Sequence, residues 1–114
     1  MAATNDDIIA IEDLRASAPI EPGKLGHHTV LNTAAARVIV LAFERGHRLT
    51  EHRTPRPLLL QAIDGHLKVG VADRIVDLRP GGLLHLPASV PHEVEALEPS
   101  RLSLTLLTAE PAGS

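Results

Sequence analysis

Two histidines stand at comparable points in two turn-rich stretches, and they are the residues best suited to chemistry. His52 ends the stretch from Gly46, and His92 ends the stretch from Pro87. Each follows a turn signal and borders an apolar run, so both imidazoles are expected where a strand begins or ends. Imidazole binds metal ions and titrates near neutral pH. The pair is therefore a candidate for holding a cation or exchanging a proton.

The first stretch resembles the first of two signature motifs of the cupin family, whose members are small antiparallel β-barrels. Gly46, His52 and Gly65 fall in register with that motif. Thr54 stands where the family has a second histidine, and Leu58 where it has a glutamate. Two of the family's usual metal ligands are thus replaced here.

The second stretch resembles the second cupin motif. Gly81, Pro87 and His92 fall in register with it, whereas Ser89 replaces a glycine and Ala96 an asparagine. Because glycine, proline and histidine anchors agree in two places, the resemblance implies the cupin fold. That fold is an all-β, jelly-roll-like antiparallel barrel, also called a double-stranded β-helix.

The resemblance covers about residues 36–108 and is strongest to small single-domain cupins with reduced motifs. It implies a divalent metal, either zinc, iron, nickel or manganese, as the candidate cofactor. Only His52 and His92 are carried over as ligands from the family's motifs. The candidates for a third ligand are His85 and Gln61, with His47 as a further option.

Two interpretations of the histidine pair remain open from the sequence. A catalytic zinc normally has three protein ligands, and His52 and His92 supply two. The alternative is that both histidines lie at the barrel mouth and form hydrogen bonds with main-chain groups or water. No residue is assigned a catalytic role.

The predicted ligand pocket consists of Thr54, Leu58, Leu60 and Arg53 beside the histidine pair. One face of each strand in a small barrel points into the lumen, so both imidazoles are expected in one apolar cavity if their strands face each other. The loop that contains Arg53 is stiff and positively charged, which suits an anionic group such as a carboxylate. A solvated, rigid turn is the alternative.

Composition excludes several other classes of function. The chain has 114 residues, a net charge of -3, no cysteine and a single aromatic residue, Phe43. Nucleic-acid binding, membrane association, disulfides and thiolate chemistry are therefore not expected. The N-terminus is acidic and no apolar run has the length of a membrane span, so we expect a soluble cytoplasmic protein.

The elements that must position the histidines are short strands between turns. We expect an N-terminal arm over residues 1–25, a barrel over 26–108 and a disordered tail over 109–114. Within the arm, the apolar spacing of Ile8–Leu14 fits a short helix, whereas Asp7–Ile11 fits a strand; both remain open. The predicted strands are His27–Thr33, Arg37–Phe43, Pro57–Ile63, His66–Val71, Arg74–Asp77, Leu83–Pro87, Glu93–Ala96 and Arg101–Thr108.

Two further features of the barrel are predicted. Asp64-Gly65 between apolar runs predicts a β-hairpin. The runs Arg37–Phe43 and Arg101–Thr108 are apolar on both faces, which predicts that their outer faces are buried in a symmetric homodimer.

These observations predict a small-molecule-binding protein whose apolar cavity has His52 and His92 at its polar end. The alternative is a metal-dependent enzyme with a histidine-based site, namely a dioxygenase, an isomerase or a small-molecule hydrolase.

Overall fold

The computed structural model describes residues 8–108, which form nine strands in two antiparallel sheets. The strands are β1 (Gly26–Asn32), β2 (Ala36–Phe43), β3 (Arg48–His52), β4 (Leu58–Asp64), β5 (Leu67–Val71), β6 (Arg74–Leu78), β7 (Leu84–Leu86), β8 (His92–Ala96) and β9 (Ser100–Leu107). The predicted all-β, antiparallel architecture is confirmed. These residues contain no helix with the length and apolar character needed to cross a membrane.

The two sheets pack face to face around one core. The five-stranded sheet has the order β1-β2-β9-β4-β7, and the four-stranded sheet has the order β3-β8-β5-β6. Side chains alternate between the two faces of each strand, and the inward set is almost entirely aliphatic. The core contains Ile39, Leu41, Phe43, Leu58, Leu60, Ala62, Leu67, Val69, Leu78, Leu86, Val94, Ala96, Leu102 and Leu104.

Strand β3 was not predicted from the sequence. Four of its five side chains are exposed, and only Leu49 is half-buried. A strand at the edge of a sheet with so little apolar surface lacks the alternation that marks a half-buried strand. Its position is fixed instead by pairing with β8.

The predicted hairpin at Gly65 is wrong, because β4 and β5 lie in different sheets. The turn is present, with Gly65 at a φ of 84°. After the turn, the main-chain N–H of His66 donates to Ser100 Oγ at 3.0 Å. The chain therefore crosses between the sheets here, and the hairpin of this region joins β5 to β6, where Val71 pairs with Arg74.

The N-terminal arm crosses the outer face of the five-stranded sheet without forming a helix or a strand from Ile8 to Ile11, so both predictions fail over that part. Ala18 is fully buried, and its carbonyl accepts a hydrogen bond from Arg101 Nε at 2.7 Å. Arg101 also pairs with Asp64 at 2.6 Å. Contacts with the barrel hold the arm, so its own periodicity does not decide its conformation. The predicted tail, 109–114, and residues 1–7 lie outside the described residues.

Candidate functional site

His52 and His92 lie directly opposite each other on the neighbouring strands β3 and β8. Leu49 pairs with Val94. From that pair to the pair of His52 with His92, β3 advances by three residues and β8 by two. A regular register from Leu49 would place Glu51 opposite His92. The bulge in β3 therefore brings His52, and not Glu51, to the position that faces His92. Both imidazoles therefore come from one sheet, whereas the sequence left open whether their strands face each other across the barrel.

The two rings are in edge-to-face contact but differ in burial. Their centroids are 5.7 Å apart and their planes make an angle of 89°. His92 is only 1% exposed, whereas His52 is exposed to solvent. The pair thus consists of an inner imidazole, that of His92, and an outer one, that of His52.

The main chain fixes the orientation of the His92 ring. Nδ1 of His92 lies 3.1 Å from the carbonyl oxygen of Val90. A carbonyl oxygen only accepts hydrogen bonds, so Nδ1 carries the proton and donates it. Nε2 of the neutral ring then has the lone pair, and this atom is buried without a hydrogen-bond partner.

The surroundings of His92 keep its ring neutral. Burial lowers the pKa of His92 below its ordinary value of 6.5, and the nearby His52 lowers it further. The hydrogen bond to Val90 acts in the opposite direction but does not reverse the shift. A neutral His92 offers Nε2 as an acceptor near physiological pH.

The histidine pair forms the end row of an otherwise apolar sheet face. His92 pairs with Val71 of β5, a partly buried residue that packs against the core, and Val71 pairs with Arg74 at the edge of the sheet. The next row on this face contains aliphatic side chains only, namely Leu49, Val94, Val69 and Val76. The pair therefore forms the polar end of an otherwise aliphatic sheet face.

Two loops connect this row to the corresponding end of the other sheet. Residues 53–57 lead from His52 to Leu58, and residues 87–91 lead from Leu86 to His92. Leu58 and Leu86 pair with each other. The loops are joined by a hydrogen bond from the main-chain N–H of Ser89 to the carbonyl of Thr54, at 2.7 Å.

The predicted pocket residues lie in different environments. Leu58 and Leu60 are fully buried in the core. Thr54 is half-buried, and its hydroxyl donates to the carbonyl of Arg56 at 2.7 Å. Arg53 is exposed on the loop. The structure therefore brings Thr54 and Leu58 to the histidine end of the barrel and leaves Arg53 in solvent.

A second arginine of this loop is already engaged. Arg56 Nε donates to the carbonyl of Leu107 at 2.8 Å, and its terminal nitrogen donates to that of Leu106 at 3.2 Å. Arg56 thus fastens the loop to the end of β9.

The candidates for a third metal ligand are not brought to the pair. Gln61 is an exposed residue between the buried Leu60 and Ala62, so it faces outward from the barrel. His85 is exposed on β7 and pairs with Leu59, which is on the same outer face. Nδ1 of His47 instead accepts a hydrogen bond from the main-chain N–H of Glu44 at 3.1 Å.

The donor set at the pair does not fit a resident metal centre. Within residues 8–108, no group of three or more histidine, cysteine, aspartate or glutamate side chains is arranged to hold a metal ion. A catalytic zinc site has three protein ligands, and here two imidazoles come together. No reaction step is therefore assigned through a metal.

Three residues of the site were not predicted from the sequence. Val71 completes the end row, Val90 orients the His92 ring, and Ser89 joins the two loops. The alternation of Leu67, Val69 and Val71 could have indicated the inward direction of Val71. Ser89 and Val90 act through main-chain groups, for which side-chain types give no signal.

Comparison with known proteins agrees with this architecture. Residues 38–112 match the family model of the AraC-like ligand binding domain. No curated protein matches the chain in sequence. Among solved structures, a protein of unknown function from Streptococcus pyogenes is similar at a TM-score of 0.79 and 19% identity, over 97% of this chain and 98% of that one.

Two other solved structures show the barrel under its family name. A cupin superfamily protein from Desulfitobacterium hafniense has a TM-score of 0.74 and 15% identity, over 80% of this chain and 84% of that one. A cupin 2 conserved barrel domain protein from Leptotrichia buccalis has a TM-score of 0.72 and 25% identity, over 79% of this chain and 44% of that one. The expected cupin fold is confirmed. The chain belongs to the AraC-like ligand-binding domain family, and its domain is a small cupin barrel.

Proposed function

We propose that this domain binds a small molecule in the cytoplasm, at the end of the barrel where His52 and His92 meet. The observation that carries the proposal is Nε2 of His92, a buried acceptor without a hydrogen-bond partner. A buried polar atom left unpaired costs free energy, and a ligand that pairs with it regains that cost. The lack of cysteine is compatible with the cytoplasm.

The apolar surroundings support the same proposal. A small-molecule site is typically apolar with a few convergent polar groups. Here Val71 and the core leucines supply the apolar part, and the two imidazoles supply the polar part. The loops joined through Ser89 and Thr54 border this end of the barrel.

A thermal-shift screen against a metabolite library tests the proposal. A compound that binds only the folded chain raises its melting temperature. We expect compounds that stabilise the parent chain and the His85→Ala control but not the His92→Phe variant, which keeps a ring and loses Nε2. Compounds that stabilise the His92→Phe variant equally well would place binding elsewhere and contradict the proposal.

Elemental analysis of untagged protein separates this proposal from the metal-dependent enzyme. A ligand-binding barrel without a resident metal is expected to contain less than one metal per chain after zinc, iron, nickel or manganese has been offered. One equivalent in the parent chain, lost in the His52→Ala/His92→Ala double variant, would instead establish a metal site.

We also propose that the chain forms a homodimer, although not through the surface first expected. The arm already covers part of the outer face of β2 and β9, where Ala18 is buried. The part of that sheet formed by β4 and β7 is not covered by the arm contacts described above, and near it Leu83 is 61% exposed. Light scattering of the parent and of Leu83→Glu tests this: a dimer that the variant weakens is expected, and a monomeric parent would contradict it.

A further inference from the structure

We infer that the ligand presents a neutral hydrogen-bond donor, a hydroxyl or an amide N–H, to Nε2 of His92. This inference rests on the proposed function and specifies the chemical class of the ligand. It depends on three features of the site: the proton on Nδ1 of His92, the positions of the charged side chains nearby, and the burial of Nε2.

The protonated nitrogen decides the role of the free one. Because Nδ1 of His92 donates to the carbonyl of Val90, the neutral ring presents only a lone pair at Nε2. A carboxylate or a ketone also presents lone pairs, so neither group forms a hydrogen bond with this atom. A hydroxyl or an amide N–H does.

The bulge in β3 excludes a cationic donor such as an ammonium. In a regular register Glu51 would face His92, but the bulge puts His52 in that position. Glu93 follows His92 on its strand and is exposed on the opposite face. Asp73, in the turn that follows Val71, is exposed as well. An ammonium that reached Nε2 would be buried beside Val71, whereas these carboxylates are on exposed side chains, so burying its charge is costly.

The nearby cations do not favour an anion at Nε2 either. Arg56 is engaged with the carbonyls of β9. Arg53 is exposed, and Arg74 is exposed at the sheet edge, two strands away from His92. Since neither a cation nor an anion is favoured, the group of the ligand that reaches Nε2 is neutral.

The outer imidazole leaves the rest of the ligand less restricted. His52 is exposed, so solvent can pair with its ring nitrogens in either tautomer. The ring of His52 can therefore accept a hydrogen bond from a donor group of the ligand or donate one to an acceptor group. The selectivity therefore lies at the inner atom, Nε2 of His92, which is buried and has no hydrogen-bond partner in the protein.

Two series of matched fragments test the inference on the unmodified chain. The first consists of benzyl alcohol, benzyl methyl ether, benzoate and benzylammonium; the second consists of cyclohexanol, methoxycyclohexane, cyclohexanecarboxylate and cyclohexylammonium. Each is titrated into ¹⁵N-labelled protein to millimolar concentration while the ring-nitrogen signals of the histidines are recorded. These signals also show which ring nitrogen carries the proton.

We expect Nε2 of His92 to be unprotonated in the free protein and to shift on addition of each alcohol. Each alcohol should bind about tenfold more tightly than its methyl ether, the ratio that one additional hydrogen bond can supply. Three results would each overturn the inference and leave the proposed function standing. They are equal binding of alcohol and ether, preferential binding of the carboxylate or the ammonium, and a protonated Nε2 in the free protein. If none of the eight compounds shifts the signals of His52 or His92, the proposed function fails with it.

Discussion

The carbonyl of Val90 holds Nδ1 of His92 at 3.1 Å, and this contact determines which ring nitrogen remains for a ligand. Val90 lies in the loop that leads into β8, so the loop that borders the site also orients the buried imidazole of His92. Histidines that act as acceptors commonly have their second nitrogen fixed in this way.

The burial of His92 predicts a pH dependence of stability. Its folded-state pKa lies below the ordinary value of 6.5, so the unfolded chain binds a proton at higher pH than the folded chain does. The free energy of unfolding is therefore largest above about pH 6.5 and falls as the pH drops from there towards the folded-state pKa. Urea unfolding at pH 7.5 and 5.5 should show a larger loss for the parent than for His92→Phe. Equal losses in the two chains would mean that His92 is not the group responsible.

The core position of Leu60 predicts a large cost of truncation. Leu60 is fully buried, so Leu60→Ala should lower the free energy of unfolding by about 2–5 kcal/mol. The neighbouring Gln61 is exposed, and Gln61→Ala should stay within about 0.5 kcal/mol of the parent. Chemical denaturation measures both values. A small cost for Leu60→Ala would indicate that this leucine lines an open cavity, as the sequence had suggested.

The crossing turn between the sheets predicts an intolerant glycine. A Cβ on Gly65 would lie 2.5 Å from the carbonyl oxygen of Pro99 and would also overlap Ser100. Gly46 has a similar φ of 86° with open space around it, so it is a matched control. Gly46→Ala should cost about 1–2 kcal/mol from backbone strain alone. Gly65→Ala should cost at least about 2 kcal/mol more, and similar melting temperatures for the two variants would contradict the close packing of this turn.

The contacts of Arg101 predict that it holds the arm on the barrel. Arg101 donates to the carbonyl of Ala18 and pairs with Asp64. Arg101→Ala removes both interactions, so it should lower the free energy of unfolding by about 1–3 kcal/mol. Hydrogen exchange should then accelerate at the amide of Ala18, whereas Arg74→Ala should leave that rate unchanged. An unaltered rate in Arg101→Ala would show that other contacts hold the arm.

The sequence predicted the barrel well because its glycine, proline and histidine anchors and its short apolar runs are local features. Eight of the nine strands overlap predicted runs, and His52 and His92 do meet. The bulge in β3 could not be predicted, because it depends on pairing with a strand forty residues away, as the pairing of His52 with His92 shows. The burial pattern within β3 alone therefore does not show which face His52 occupies.

The outward direction of Gln61 follows from its alternation with Leu60 and Ala62, which the sequence already indicates. The direction of His85 depends on the bend at Pro87, which the sequence leaves open. The outer face of β2 was assigned to a partner chain for a similar reason. Its apolar character was evident, but nothing local indicated that the arm of the same chain would cover part of it.

Mapping a bound compound onto the barrel tests the central claim most directly. The strongest hit from the thermal-shift screen would be titrated into ¹⁵N-labelled protein, and the perturbed amide and ring signals assigned. We expect the largest changes at His52, Val71 and His92. Changes centred on the outer face of the four-stranded sheet, where Arg48, Lys68 and Glu95 border a hollow of about 110 Å³, would contradict a binding site at the histidine pair.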